Sequence, residues 1–265
     1  MTNRTMTETE HSTIPNGVTF SVVSHGQKKF IETLLGEISG LINIDFEVIL
    51  TINIEEATTL DLSNFNFPII LIKNEIPKGF GENHNSAFLI SKFSNFIVIN
   101  PDILLPNKFL FSALDKYKFR SDVGIWGPRV VTPDGQLEDS VRLYPSFKRI
   151  LKRVLLNARF GDYPPVDGTI ECDWVAGMFM VFTRAAFKKV KGFDQNYFMY
   201  LEDADICRRL HAENYRVVYD SSFEVVHYAQ RASRKNIRHV VWHLSSLFHF
   251  LVMSKFKEPK SKISD

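Results

Sequence analysis

The chain is poor in cysteine and carries almost no net charge. Only Cys172 and Cys207 among its 265 residues are thiols. Two cysteines cannot build a disulfide framework, and neither sits in a CxxC pair. A thiolate zinc site is therefore not expected, and reduced cytosolic thiols are. The formal net charge of +2 lacks the large basic excess of a dedicated nucleic-acid binder. No apolar run approaches the roughly 20 residues of a membrane-spanning helix, so any membrane contact is expected to be peripheral. Residues 1–16 are polar, lack the apolar centre of a secretory signal and are expected to form a disordered tail. No internal repeat is apparent.

The apolar share is 45%, enough to bury the core of one large domain, or of one domain with a helical appendage. Strands are expected at 18–24, 46–52, 68–73 and 96–100. Between them Phe30, Ile31, Leu34, Leu35 and Ile38 recur at helical spacing, 81–93 suits a helix, and 106–119 predicts another with proline at its start. This order predicts βαβ units: an α/β fold with a mostly parallel sheet and helices on both faces. Such sheets bind ligands beyond the carboxyl ends of their strands, where Ser24, Asn53, Asn74 and Asn100-Pro101-Asp102 fall.

The pattern then changes. A strand is expected at 123–131, followed by the turn composition Thr132-Pro133-Asp134-Gly135. Residues 147–157 read as a helix with Lys148, Arg149, Lys152 and Arg153 on one face. A strand at 174–182, a helix at 202–213 and short strands at 215–219 and 223–227 follow. A last helix is expected from Ile237 to about Ser254, with Ile237, Val240, Val241, Leu244, Leu247, Phe248, Leu251 and Val252 as its apolar stripe.

Acidic residues mark the chemistry. Asp102 ends an apolar strand; Pro101 beside it has no N–H to give a ladder, which suits a strand end. Glu202, Asp203 and Asp205 open a helix behind the aromatic loop Phe198-Met199-Tyr200-Leu201. A helix dipole favours acids in its first turn, which accounts for all three as well as catalysis does. Asp205 can also pair with Arg208 or Arg209 at i,i+3 or i,i+4.

Four blocks together resemble the family 2 glycosyltransferases of GT-A fold, and most closely their bacterial rhamnosyltransferase-like branch. They are Lys78-Gly79-Phe80-Gly81 with Asn83 and Asn85, then Asn100-Pro101-Asp102, then Asp173-Trp174-Val175-Ala176-Gly177 through Gly192-Phe193-Asp194 to Asp205, and last His227 with Arg231-Ala232-Ser233-Arg234. The resemblance covers residues 18–250 and implies a Rossmann-like GT-A domain (17–229) followed by a basic, amphipathic helical segment (230–265). It implies transfer of a sugar from a nucleotide diphosphate donor to an acceptor hydroxyl with inversion at the anomeric carbon.

By the same resemblance Asp203 is the general base, and Glu202 orients the acceptor or the loop. Asp102 is the last acid of a metal-binding motif for Mg2+ or Mn2+, and His227 is its companion. Ser24, His25, Asn53, Gly79, Phe80, Gly81, Asn85, Asn100, Asp102, Arg231 and Arg234 are expected around the donor, and Trp174, Gly177 and Tyr200 around the sugar or acceptor. Ordinary core packing accounts equally for Trp174, as does a loop anchor for Tyr200 and a satisfied strand-end residue for His227. The branch points to dTDP-rhamnose as donor and to a glycan or lipid-linked saccharide of a bacterial surface polymer as acceptor. One departure concerns the second strand, which ends Leu50-Thr51-Ile52-Asn53-Ile54-Glu55 where many relatives carry Asp-Asn-x-Ser. That change leaves open a non-catalytic nucleotide-sugar or glycan-binding module on the same fold. The transferase expectation requires Asp102, Glu202 and Asp203, far apart in the chain, to meet at one rim of the sheet.

From Tyr228 onward eight Lys or Arg face only Glu258 and Asp265. With the amphipathic stretches at 147–157 and 237–254, this predicts weak attachment to an anionic membrane surface. The location expected is cytoplasmic, peripheral on the inner face of the cytoplasmic membrane.

Overall fold

A computed structural model describes residues 14–41, 43–55, 60–105, 110–117, 120–146, 148–149, 162–164, 167–228 and 237–254. The expected helix at 147–157, the flanks of the one at 106–119, the tail before residue 14, and Arg231 and Arg234 lie wholly or mostly outside these residues.

The apolar runs of the first half form the strands they predict: β1 (Val18–His25), β2 (Phe46–Ile54), β3 (Ile69–Lys73) and β4 (Asn95–Ile99). They lie side by side in the order β3-β2-β1-β4, all parallel. Helices α1 (Lys28–Ser39) and α2 (Phe80–Ile90) are the crossovers. The short β5 (Ile103–Leu104) and α3 (Leu110–Tyr117) follow, then β6 (Val123–Val131). Two short strands, β7 (Val141–Arg142) and β9 (Trp174–Val175), pair as a separate ribbon, and β8 (Thr169–Glu171) lies between them in sequence. Strand β10 (Phe179–Thr183) enters the main sheet antiparallel between β4 and β6. Helix α4 (Arg184–Lys189) and helix α5 (Glu202–Ala212) precede the long β11 (Arg216–His227), which runs parallel to β6. Helix α6 (Ile237–Ser254) matches the predicted C-terminal helix.

Six of the nine strands in the main sheet, β1 to β4 with β6 and β11, point one way, so the sheet is mostly parallel as expected. Alternating side chains feed two cores. Phe20, Val22, Leu50, Ile97, Ile99 and Val181 face α1 and α3, while Ile49, Phe96, Val98, Met180 and Phe182 face α2, α4 and α5. Each fully buried side chain of this size contributes about 1.5–3 kcal/mol.

Two expectations are corrected. Residues 174–182 are not one strand: Ala176-Gly177-Met178 separates β9 from β10 and lets each join a different sheet. Residues 215–219 and 223–227 are one strand whose register slips between Asp220 and Glu224. Buried Asp220 holds that slip by accepting from the Ser222 N–H (3.0 Å), the Tyr117 hydroxyl (2.8 Å) and Lys116 Nζ (2.7 Å).

Candidate active site

The parallel strands end at a common rim. His25 pairs with Ile54, Ile52 with Lys73, and Val22 with Ile99, so β1 to β4 end at the same side of the sheet, staggered by two or three residues. Strand β10 runs the other way, and Phe179 at its start faces Ile99. The Ala176-Gly177-Met178 crossing therefore sits beside Asn100-Pro101-Asp102. The Asn100 N–H donates to the Met178 carbonyl (2.9 Å).

Two acid-bearing segments meet that crossing. Asp203 Oδ2 accepts the Gly177 N–H (2.9 Å), while Oδ1 accepts the Ala204 N–H (2.8 Å). Asp102 follows two residues after Asn100, whose N–H meets the Met178 carbonyl. Two-residue β5 pairs with the end of β11, setting Ile103 opposite His227 and bringing His227 Nε2 to 3.5 Å from Asp102 Oδ1. The Tyr228 N–H donates to the Asp102 carbonyl and fixes the backbone (2.8 Å). Asp203 and the Asn100–Asp102 segment, a hundred residues apart in the chain, thus meet the same crossing at the rim.

Glu202 and Asp203 open α5, as their position predicts. The turn before them is strained: Tyr200 and Leu201 both adopt left-handed φ, 75° and 65°, which costs a non-glycine residue about 1–2 kcal/mol. The Tyr200 hydroxyl bonds His239 Nδ1 of α6 (2.8 Å) and ties the turn down. Glu202 is buried, and among the described residues its Oε2 has no hydrogen-bond partner. Burial, then the Asp203 charge, pushes its carboxyl well above the usual range. Burial raises Asp203 too, but the Gly177 N–H, the positive charge of Arg142 and the Ala204 N–H oppose it. Burial thus disfavours the charged form of both carboxyls, and at Asp203 the two N–H groups and Arg142 oppose it. Asp205 lies outside this pair: it binds Arg208 and Arg209, both at 2.6 Å, the partners its spacing predicts.

His227 is held from both sides. Its Nδ1 lies 2.7 Å from Glu138 Oε2, and its Nε2 faces Asp102. Burial lowers its pKa, but the two carboxylates outweigh burial and push it up to about 9. Glu138 carried no sequence signal. It arrives on the hairpin that the Thr132–Gly135 turn predicts, where Gly135 has φ 79° and the Glu138 N–H bonds the Val130 carbonyl. Asp102 Oδ1 is buried and makes no hydrogen bond among the described residues, its nearest cationic partner being the His227 imidazole at 3.5 Å. No group of three or more His, Cys, Asp or Glu among those residues is arranged to enclose a metal.

Several residues expected around the donor make contacts within the protein. The Asn53 amide is buried and saturated. Its Oδ1 accepts from Asn74 Nδ2 (2.7 Å) and the Lys78 N–H (2.8 Å), and its Nδ2 bonds His25 Nε2 (2.9 Å) and the Lys78 carbonyl (3.0 Å). No donor or acceptor is left for a nucleoside. Asn85 likewise spends both ends on the Phe193 backbone, at 2.8 and 2.9 Å. Gly79 and Gly81 permit close approach, but of protein. A Cβ on Gly79 would lie 2.7 Å from the Phe198 carbonyl, and one on Gly81 2.5 Å from Phe193 Cβ. The Phe80 N–H at the start of α2 goes to that same Phe198 carbonyl (2.9 Å), so it is not offered to a phosphate.

Ser24 is buried, its Oγ accepting the Gln27 N–H (3.3 Å), while His25 is exposed at the rim. A cleft of about 550 Å³ opens where β2 and β3 end, lined by Ile52, Asn53, Glu55, Lys73, Asn74 and Pro77. Trp174 is buried, its Nε1 donating to the Leu143 carbonyl (3.1 Å). It also lines a cavity of about 210 Å³ with Arg142, Tyr144, Leu201, His243 and Leu247. Core packing and a place on a cavity wall are thus both true of it. Gly177 keeps the crossing open, since a Cβ there would come 3.2 Å from Phe80 Cζ and 3.6 Å from Asp203 Oδ2.

The comparisons agree with this architecture. The chain is similar to the rhamnosyltransferase WbbL of Escherichia coli K12, 28% identical over 253 residues that cover 88% of this chain and 92% of that one. It is 31% identical over 167 residues to the N-acetylglucosaminyl-diphospho-decaprenol L-rhamnosyltransferase of Mycobacterium tuberculosis, covering 58% of this chain and about half, 54%, of that relative. Residues 164–239 match the family described as the N-terminal domain of galactosyltransferase. Among solved structures it resembles the mannosyltransferase PcManGT from Pyrobaculum calidifontis in complex with GDP-Man and Mn2+. That match has a TM-score of 0.58 at 15% identity and covers 88% of this chain and 64% of that one. It also resembles GalNAc-T7 with UDP, GalNAc and Mn2+, with a TM-score of 0.64 at 12% identity over 83% of this chain and 44% of that one. Identities this low speak for the fold alone, which is GT-A; the sequence relatives and the family match support a glycosyltransferase similar to those of family 2.

Proposed function

We propose that this glycosyltransferase is an inverting, metal-dependent enzyme that moves rhamnose from a nucleotide diphosphate donor, dTDP-rhamnose, to a hydroxyl of a lipid-linked saccharide in surface-polymer synthesis. Two sequence relatives named as rhamnosyltransferases support the sugar, and the second relative's name supports a lipid diphosphate acceptor. The observation that carries the reaction type is Asp203 bound to the Gly177 N–H while the segment bearing Asp102 is bound, through Asn100, to the neighbouring Met178.

In this reading Asp203 accepts the proton of the acceptor hydroxyl as its oxygen bonds to the anomeric carbon and the bond to the diphosphate breaks. A base so placed contributes about 10²–10⁴-fold in rate. Glu202 stays protonated and can donate to the acceptor, keeping a second negative charge away from Asp203. Asp102 through Oδ1 and His227 through Nε2, once that nitrogen has lost its proton, would hold Mg2+ or Mn2+; a bound cation neutralises charge on the departing diphosphate. Glu138 fixes His227 so that Nε2 faces that site, as an outer carboxylate does for metal-bound histidines. The acceptor enters past Trp174 and Arg142. The nucleoside takes the cleft beyond β2 and β3, where Glu55 supplies an acid two residues after Asn53.

A panel of nucleotide sugars offered with Mg2+ or Mn2+ tests this. Hydrolysis or transfer of one donor is expected, and Asp102→Ala should weaken donor binding. Metal-independent binding of a nucleotide sugar or glycan without turnover would favour a non-catalytic module instead. Neither binding nor turnover with any donor would refute both.

A further inference from the structure

Helix α6 exposes its apolar stripe instead of burying it. Ile237, Val240, Val241, Leu244, Phe248 and Val252 are 37–78% exposed. At about 100° per residue they fall within roughly one third of the helix circumference. The opposite face is fastened to the domain. His239 bonds Tyr200, Ser246 Oγ donates to the Met199 carbonyl (2.8 Å), His249 lies 3.3 Å from Asp194, and Phe250 is buried. The sequence stripe is thereby divided: Leu247 packs inward, Leu251 is half-buried, and the other six side chains face out.

The helix has 18 residues, no acid and one basic residue, Arg238. Around it, residues 228–265 carry eight Lys or Arg against Glu258 and Asp265, in a chain whose net charge is only +2. Two copies meeting through this face would bring like charges together. The helix is also not long and apolar enough to cross a bilayer. An apolar stripe with basic flanks suits the interface of an anionic bilayer, with the side chains in the acyl boundary and the cations among headgroups.

We propose that the outer face of α6 docks this glycosyltransferase on an anionic phospholipid surface. This deepens the reading of a lipid-linked acceptor. The inner face of the same helix, through His243 and Leu247, walls the cavity beside Trp174, so a docked helix sets that cavity next to the membrane from which such an acceptor emerges.

Co-sedimentation of the full chain with vesicles, without donor or acceptor, tests docking independently of catalysis. Phosphatidylcholine vesicles with one quarter phosphatidylglycerol should bind it at least tenfold more strongly than phosphatidylcholine alone, and 0.5 M NaCl should reverse most of that gain. Leu244→Glu with Phe248→Glu should lose at least tenfold in binding while its melting temperature and donor hydrolysis stay at wild-type values. Failure of the wild type to bind, or equal binding by the double variant, would overturn the proposal. So would a wild-type dimer that the double variant converts to monomer, since the face would then be a protein interface. A large fall in melting temperature would overturn it too, because the face would then be covered by the chain itself.

Discussion

Glu202 shows what a single buried residue at this site does to stability. Its carboxyl is raised by burial and by Asp203, so the folded chain binds that proton more tightly than the unfolded chain. The stability contributed by protonated Glu202 is complete below the ordinary carboxylate pKa and is lost as pH rises through the raised one. Glu202→Gln, which is always neutral, should therefore melt higher than wild type at pH 7.5, by about 2–4 °C for each kcal/mol gained. The gap should close near pH 4. Calorimetry at the two pH values checks both magnitude and sign. Glu138 acts on geometry instead of charge balance. Glu138→Gln should weaken Mn2+ binding about 10–100-fold, read from free Mn2+ by electron paramagnetic resonance; unchanged affinity would remove its positioning role. Sequence found His227 but not Glu138, because the two meet across 89 positions of chain and no local pattern joins them.

Among the elements, those with long apolar runs were legible and the short ones were not. Strands β1, β2 and β4 are buried on both faces, so their composition announces them. Strands β5, β7 and β8 have two or three residues each, too few for any periodicity, yet β5 is what carries Asp102 to His227. The glycines and asparagines before α2 were read as donor contacts because close approach and amide bonding serve a ligand and a loop alike. Here the 193–198 loop takes most of them. That loop is testable through Gly192, whose φ is 69° and whose added Cβ would lie 2.3 Å from Asn85 Oδ1. Gly192→Ala should cost about 2–4 kcal/mol, combining left-handed strain with a broken Asn85–Phe193 pairing. Once Asn85→Ala has removed the clash, the further cost should fall to about 1–2 kcal/mol. Denaturant unfolding of the two single variants and the double variant measures this; additive costs would contradict the clash.

Across the whole molecule, the sheet turns distant sequence into one site. Four parallel strands end at the same side, the antiparallel β10 starts at the same edge, and β11 finishes there with His227. The fold class and the meeting of Asp203 with the segment that bears Asp102 at one crossing were readable because parallel sheets concentrate chemistry at their carboxyl rim. The exposure of α6 was not, because a helical stripe has the same spacing whether it faces a core, a partner or a lipid. The central claim is that Asp203 is the base in a cleft whose other wall holds the donor through Asp102. Its most direct test is Asp203→Asn, assayed for donor affinity by calorimetry with Mn2+ and for sugar transfer under the same conditions. The account predicts donor affinity within about threefold of wild type and transfer reduced about 10²–10⁴-fold. Transfer at the wild-type rate, or loss of donor binding together with transfer, would contradict it.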